Sequence, residues 1–148
     1  MALPTDQARS VLTGLSPVQV IRARIDAFAR GDFALIFDSY HAESNFRLQF
    51  ARPADYLRHA REQLAGVYRI DRALILRDDI SGDEARVVTL WQVEVGGQLL
   101  RYAELAWLRR ERGAWRYHRG QRWDENLPAD VAAIDFAAFE RLEPRVIF

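Results

Sequence analysis

The chain has 148 residues, 17.1 kDa of mass and equal numbers of basic and acidic side chains, 21 each. That length suits one domain, and 49% hydrophobic against 28% charged residues excludes a disordered chain. The absence of cysteine excludes disulfides, thiol nucleophiles and Cys-based zinc sites. In chain order, residues 1–15 read as a lead-in segment. Ser16-Pro17-Val18-Gln19 then has the pattern of a capped helix start, with Pro at the first helical position and Gln three residues after Ser. Val18, Ile21, Ile25 and Phe28 form an apolar stripe that stops at Gly31. Asp32 can cap a second helix from about Phe33 to Tyr40, and Pro53 opens a third that Gly66 ends. Between them Phe46, Leu48 and Phe50 alternate with polar residues, which predicts a short strand.

From Val67 the period becomes twofold. Strands are predicted from about Tyr68 to the Asp78–Asp83 turn cluster, from Glu84 to Val95, from Gln98 to about Arg110 and from Ala114 to Arg122. Helices followed by an antiparallel meander mean an α+β fold with helices on one sheet face. Residues 129–148 form a C-terminal extension, with an amphipathic helix expected over Asp130–Leu142, and residues 16–128 form the folded domain. The tail Arg145-Val146-Ile147-Phe148 ends in apolar residues that are expected to dock on their own domain or on a second copy.

Gly96-Gly97 between two strands is a two-residue hairpin turn, because both positions favour positive φ. It pairs Val95 with Gln98 and therefore Trp91 with Tyr102, Thr89 with Glu104 and Val87 with Ala106, all on one face. Pairing Leu108 with Trp115 across the next turn would add Trp115, Tyr117, Arg119, Gln121 and Trp123 to that face. The other face then carries Val88, Leu90, Ala103, Leu105, Trp107 and His118, and its apolar groups are expected to meet a partner subunit in a homodimer. A carboxylate at mid-sheet is costly to bury unless it is paired. Glu104 either forms a structural ion pair with Arg119 or faces an aromatic cavity, where burial would raise its pKa towards a value useful for proton transfer.

Other polar groups are weaker signals. Asp38 and His41 are three apart and could supply two metal ligands or an oriented imidazole, but no third ligand follows, so no metal is expected. No phosphate-binding glycine loop, nucleophile elbow or His-Glu-x-x-His motif is present. All 21 basic residues are arginine, which a GC-rich genome explains without function. With zero net charge and interleaved acids there is no basic footprint for nucleic acid. No apolar run is long enough to span a bilayer and the start MALPTDQARS lacks a signal peptide's apolar stretch, so a cytoplasmic protein without a membrane partner is expected.

Three helices before a curved antiparallel sheet resemble the NTF2-like cone. Arg22-x-Arg24-x-x-Ala27-Phe28-x-x-Gly31-Asp32 followed by Tyr40-His41 resembles the opening of the uncharacterised NTF2-like domain found beside zinc-binding SEC-C motifs. Glu104, Leu108, Gly113, Trp115, Tyr117 and Gly120 match that family's late-strand pattern, and the resemblance spans roughly Ser16 to Trp123. The family's Cys-rich flanks are absent, and Ala103 stands where a His often precedes its Glu. In the ketosteroid-isomerase branch of the superfamily the general-base position falls on Leu48, so that chemistry is not expected.

The expected protein is therefore an NTF2-like cone binding a small organic molecule, with no cofactor. Trp91, Tyr102, Trp123 and Tyr40 would line the cavity, and Glu104 and Arg119 would anchor polar groups. Two alternatives stand beside it. One is a proton-transfer enzyme of isomerase or dehydratase type, with Glu104 or His41 as base and Tyr40 or Arg119 stabilising the anion. The other is a non-catalytic interaction module whose cavity is filled by its own side chains.

Overall fold

Ser16 starts the first helix as its neighbours dictate. Its hydroxyl accepts from the Gln19 amide while the Gln19 side chain accepts from the Ser16 amide at 2.9 Å, and Gly31, at φ 72°, ends the helix in the left-handed conformation. The computed structural model describes residues 11–142 and 146–148. Its helices are α1 (Pro17–Arg30), α2 (Phe33–Asp38), α3 (Asn45–Gln49) and α4 (Pro53–Gln63). Four long strands follow as an antiparallel meander: β1 (Tyr68–Ser81), β2 (Glu84–Val95), β3 (Gln98–Glu111) and β4 (Ala114–Trp123). A 3₁₀ turn (Val131–Ala133) and α5 (Phe136–Glu140) precede a two-residue edge strand, β5 (Val146–Ile147), which pairs with β4. The α+β class and the curved sheet under N-terminal helices agree with the expectation. Among the described residues no helix is long and apolar enough to cross a membrane.

Two local expectations are corrected. Residues 45–49 are helical rather than extended, because Ser44 caps them by accepting from the Arg47 amide at 3.2 Å. Phe46 and Phe50 are four apart and so share a helix face as readily as a strand face, with ring centroids 5.3 Å apart. Leu48, between them, points outward and is 76% exposed. The expected helix over 130–142 is instead a 3₁₀ turn and one short helix, each capped by an aspartate, Asp130 and Asp135. Of the lead-in segment, residues 1–10 lie outside the described residues, while Leu12 is fully buried in the helix layer. Arg145 also lies outside the described residues.

Each face of the sheet has its own cover. Val20 and Ile21 of α1 pack on Val87, Ala106, Leu108, Trp115 and Tyr117, which are buried on the concave face. On the outer face Val88, Ala103 and Leu105 lie under Ile134 and Phe139, so the chain's own C-terminal segment covers part of the surface expected to meet a partner. Val146–Ile147 docks on the same domain: Phe148 and Gly120 exchange two backbone hydrogen bonds of 2.8 Å.

The β2–β3 register is the expected one from Val95↔Gln98 through Thr89↔Glu104 to Glu84↔Arg109. The β3–β4 register is not. Leu108 pairs with Tyr117 rather than Trp115, and the next pair is Trp107↔Arg119, which leaves His118 as the extra residue of a β-bulge. One extra residue exchanges the faces of everything beyond it, because side chains alternate with period two. Arg119, Gln121 and Trp123 therefore lie on the outer face, and Gly120 and Arg122 take the inner positions, Arg122 directly across from Glu104.

Candidate functional site

Arg24 organises the floor of the cone. It falls within the buried stripe of α1, between Val20, Ile21 and Ala27, and is itself 6% exposed. A charged side chain on such a stripe must find partners. One guanidinium nitrogen donates to Ser39 Oγ, whose hydroxyl donates to the Ile36 carbonyl at 2.6 Å, and another donates to the Tyr40 hydroxyl at 3.4 Å. The guanidinium carbon lies 4.2 Å from the Tyr117 ring centroid and 4.6 Å from that of Tyr40, both cation–π distances.

Glu104 lies beside this hub. Its Oε2 accepts a 2.9 Å hydrogen bond from the Tyr117 hydroxyl. Burial raises its pKa above the ordinary carboxyl value, and Arg24, the Tyr117 hydroxyl, Trp91 and Arg122 each offset part of that rise. The Trp91 indole N–H is buried and has no well-formed hydrogen bond. Burial also raises the pKa values of Tyr117, Tyr102, Tyr68 and Tyr56, so these phenols stay protonated at neutral pH. The Tyr68 and Tyr102 hydroxyls lie 2.7 Å apart in one hydrogen bond.

Gly120 makes this arrangement sterically possible. A Cβ there would lie 2.0 Å from the Tyr117 hydroxyl and 2.7 Å from the Phe148 ring. The missing side chain therefore lets Tyr117 reach Glu104 and lets Phe148 close one side of the site.

A cavity of about 350 Å³ opens above Glu104. Phe28, Tyr40, Phe46, Phe50, Tyr56, Trp91, Tyr102 and Phe148 wall it, and Arg24, Arg122 and His59 join Glu104 as its charged or titratable groups. The helix side is a packed aromatic cluster. Tyr40 stacks on Phe46 with centroids 3.7 Å apart, and the Tyr56 ring meets that of Phe46 edge-on at 4.8 Å. The volume lies within the ~300–1,000 Å³ typical of small-molecule sites. Chemically the cavity can seat a flat apolar skeleton and offer it a carboxyl group and a guanidinium.

Of the residues expected from sequence, Glu104, Trp91, Tyr102 and Tyr40 do line this cavity. Three others do not. Arg119 lies on the outer face, its guanidinium 4.5 Å from the Trp107 ring centroid and 3.9 Å from Glu84, so it forms no pair with Glu104. Trp123 packs edge-on against Phe139, donates to the Glu125 carbonyl at 2.9 Å and is no cavity wall. His41 lines a separate charged groove with Asp38, Glu43, Arg47 and Arg116, where its Nδ1 accepts from the Glu43 amide at 3.0 Å. The His41 and His118 rings are 5.6 Å apart, and among the described residues no group of three or more His, Cys, Asp or Glu could hold a metal. Sequence reasoning missed Arg122 and Phe148 as lining groups. The bulge that turns Arg122 inward has no sequence signature, whereas an arginine within the apolar stripe of α1 was a readable sign for Arg24.

Comparison with known proteins agrees with this architecture. The solution structure of RPA3114, a SEC-C motif containing protein from Rhodopseudomonas palustris, superposes with a TM-score of 0.56 at 23% identity, covering 71% of this chain and 77% of that one. At that identity the likeness carries the fold alone. No curated protein matches the chain. The family model of the YchJ middle NTF2-like domain matches residues 16–120, from the Ser16 cap to the Gly120 that admits Tyr117. The chain belongs to the YchJ middle NTF2-like domain family.

Proposed function

We propose that the protein binds a small organic molecule in the aromatic cavity, a flat apolar body with one polar end directed at Glu104. The observation that supports this most is the cavity's composition: about 350 Å³ walled by rings, with a half-buried carboxyl group at its floor whose Oε2 accepts from Tyr117. Concave apolar sites with few convergent polar groups are the usual form of ligand sites, and a core filled by its own side chains would leave no such space. Trp91 is a natural reporter, because its indole forms part of the wall. The test is a fluorescence and thermal-shift titration with small aromatic compounds, beside native mass spectrometry of the purified chain. Saturable quenching with a rise in melting temperature is expected in the wild type, weakened by Glu104→Gln for ligands with a hydrogen-bonding end. Absence of any saturable response, with no co-purifying ligand, would overturn the proposal.

A second function is favoured by the 2.9 Å contact between the Tyr117 hydroxyl and Glu104, in a setting where burial raises the carboxyl pKa. A carboxyl group that holds its proton more tightly than usual, next to a phenol that can stabilise an anion, suits proton transfer on a carbonyl compound. Glu104 would carry that role without His41, which lines the separate groove. The distinguishing result is turnover of a bound ligand that Glu104→Gln abolishes while binding survives.

A further inference from the structure

Charge in the cavity is unbalanced. Arg24 and Arg122 line it against one carboxyl group, Glu104, with His59 as the remaining basic group. The two arginines are not equivalent. Arg24 is enclosed, with donors directed to Ser39 and Tyr40 and the Tyr117 and Tyr40 rings packed 4.2 and 4.6 Å from its guanidinium carbon. Arg122 lies across β3–β4 from Glu104, its guanidinium carbon 3.8 Å from the Tyr102 ring centroid. Stacking on a ring fixes the plane of a guanidinium and leaves its in-plane N–H donors available for a two-point contact. Its only salt bridge among the described residues is a 3.5 Å approach of Nε to Asp124, which is more than half exposed, and the buried Nε has no hydrogen-bond partner among them. Glu104 itself accepts from the Tyr117 hydroxyl through Oε2, with the Trp91 indole beside it.

We propose that the cavity selects a small aromatic monocarboxylate, its ring among Phe46, Phe50, Tyr56 and Phe148 and its carboxylate held by Arg122 beside the Glu104 carboxyl. This rests on the ligand-binding function proposed above and adds the charge of the ligand. Arginine and carboxylate match as planar forks, and such charge-assisted pairs are among the stronger hydrogen bonds. In its protonated form, which burial favours, Glu104 can donate to the second ligand oxygen. The Arg24 charge adds attraction without offering a vacant donor. A cationic ligand would meet two guanidinium groups, and a neutral one would leave the Arg122 fork unmatched.

Benzoate and its uncharged analogue benzamide, titrated calorimetrically into the full 148-residue chain at pH 7, separate the possibilities. Benzoate is expected to bind at least about tenfold more tightly, the scale of one charge-assisted contact in a partly buried site. Arg122→Gln should abolish that preference by weakening benzoate far more than benzamide, and Arg122→Lys should retain part of it. Arg119→Gln, on the outer face, should leave both affinities alone. Equal binding of the two probes by the wild type would overturn the carboxylate assignment and leave the cavity reading intact, whether or not the Arg122 variants fold. A preference that survives in folded Arg122→Gln would overturn it equally. If neither probe binds, the carboxylate assignment fails, and the aromatic panel and native mass spectrometry described above decide whether the broader ligand-binding function fails with it.

Discussion

Two of the glycine-containing hairpins of the sheet, β2–β3 and β3–β4, behave differently. From the Gly96-Gly97 turn, β2 and β3 run in unbroken register for twelve pairs, so each residue's face follows from its distance to the turn. From the Arg112-Gly113 turn, β3 and β4 keep register only as far as Leu108↔Tyr117, and then the extra residue His118 reverses the faces. The uninterrupted hairpin supplies Trp91, Tyr102 and Glu104. The bulged one delivers Arg122 and Gly120 to the concave side and sends Arg119 and Trp123 to the outer one. A turn specifies a register only until the first bulge, and in this fold the bulge decides which arginine shares the cavity with the acid.

Substitutions on the two faces should therefore differ in kind. The largest effect is expected for Arg24→Ala, which removes the buried cation beside Glu104 and strips donors from Ser39 and Tyr40; a loss of about 3–5 kcal/mol by chemical denaturation is expected. Gly120→Ala comes next. Its Cβ collides with the buried Tyr117 hydroxyl and the Phe148 ring, and overpacking of this kind costs about 1–3 kcal/mol. A lowered melting temperature with weakened probe binding would fit, and an unchanged protein would show that the Tyr117–Glu104 contact is not sterically tuned.

The third effect depends on pH. Burial holds the Glu104 pKa above its ordinary value of 4.5, so the folded chain binds this proton more tightly than the unfolded one. The contribution of this group to stability is then largest below pH 4.5 and declines as pH rises towards the folded-state pKa. Glu104→Gln should abolish that decline, so the variant gains on the wild type as pH increases from 4 to 8. A stability difference that is flat or of opposite slope would contradict the burial assignment. The smallest effect is expected for Arg119→Gln, which loses a partly exposed contact with Glu84 and stacking on Trp107; less than about 1 kcal/mol should be lost and cavity binding kept.

Much of the architecture was legible because its signals are local. The Ser16 capping box, Gly31 and the Gly96-Gly97 turn each act through backbone conformations that few other residues provide, and each appears where expected. The residues at 46–50 were misread because apolar positions two and four apart satisfy both a strand and one turn of helix, and only the Ser44 cap and the aromatic cluster choose between them. The sheet side of the site was partly legible for the same reason as the β2–β3 hairpin: Glu104, Trp91 and Tyr102 are placed by counting from a turn.

By itself the sequence determined the helix-then-meander order, the two ends of the first helix and the facing of β2 against β3, since caps, turns and side-chain alternation act over a few residues. The tertiary structure alone decided that Arg122 and not Arg119 faces Glu104, that Phe148 closes the cavity over Gly120, and that His41 belongs to another groove. Those outcomes depend on where a strand bulges and which distant segment returns to its edge, and both are settled by the packing of the whole sheet rather than by any neighbouring residue.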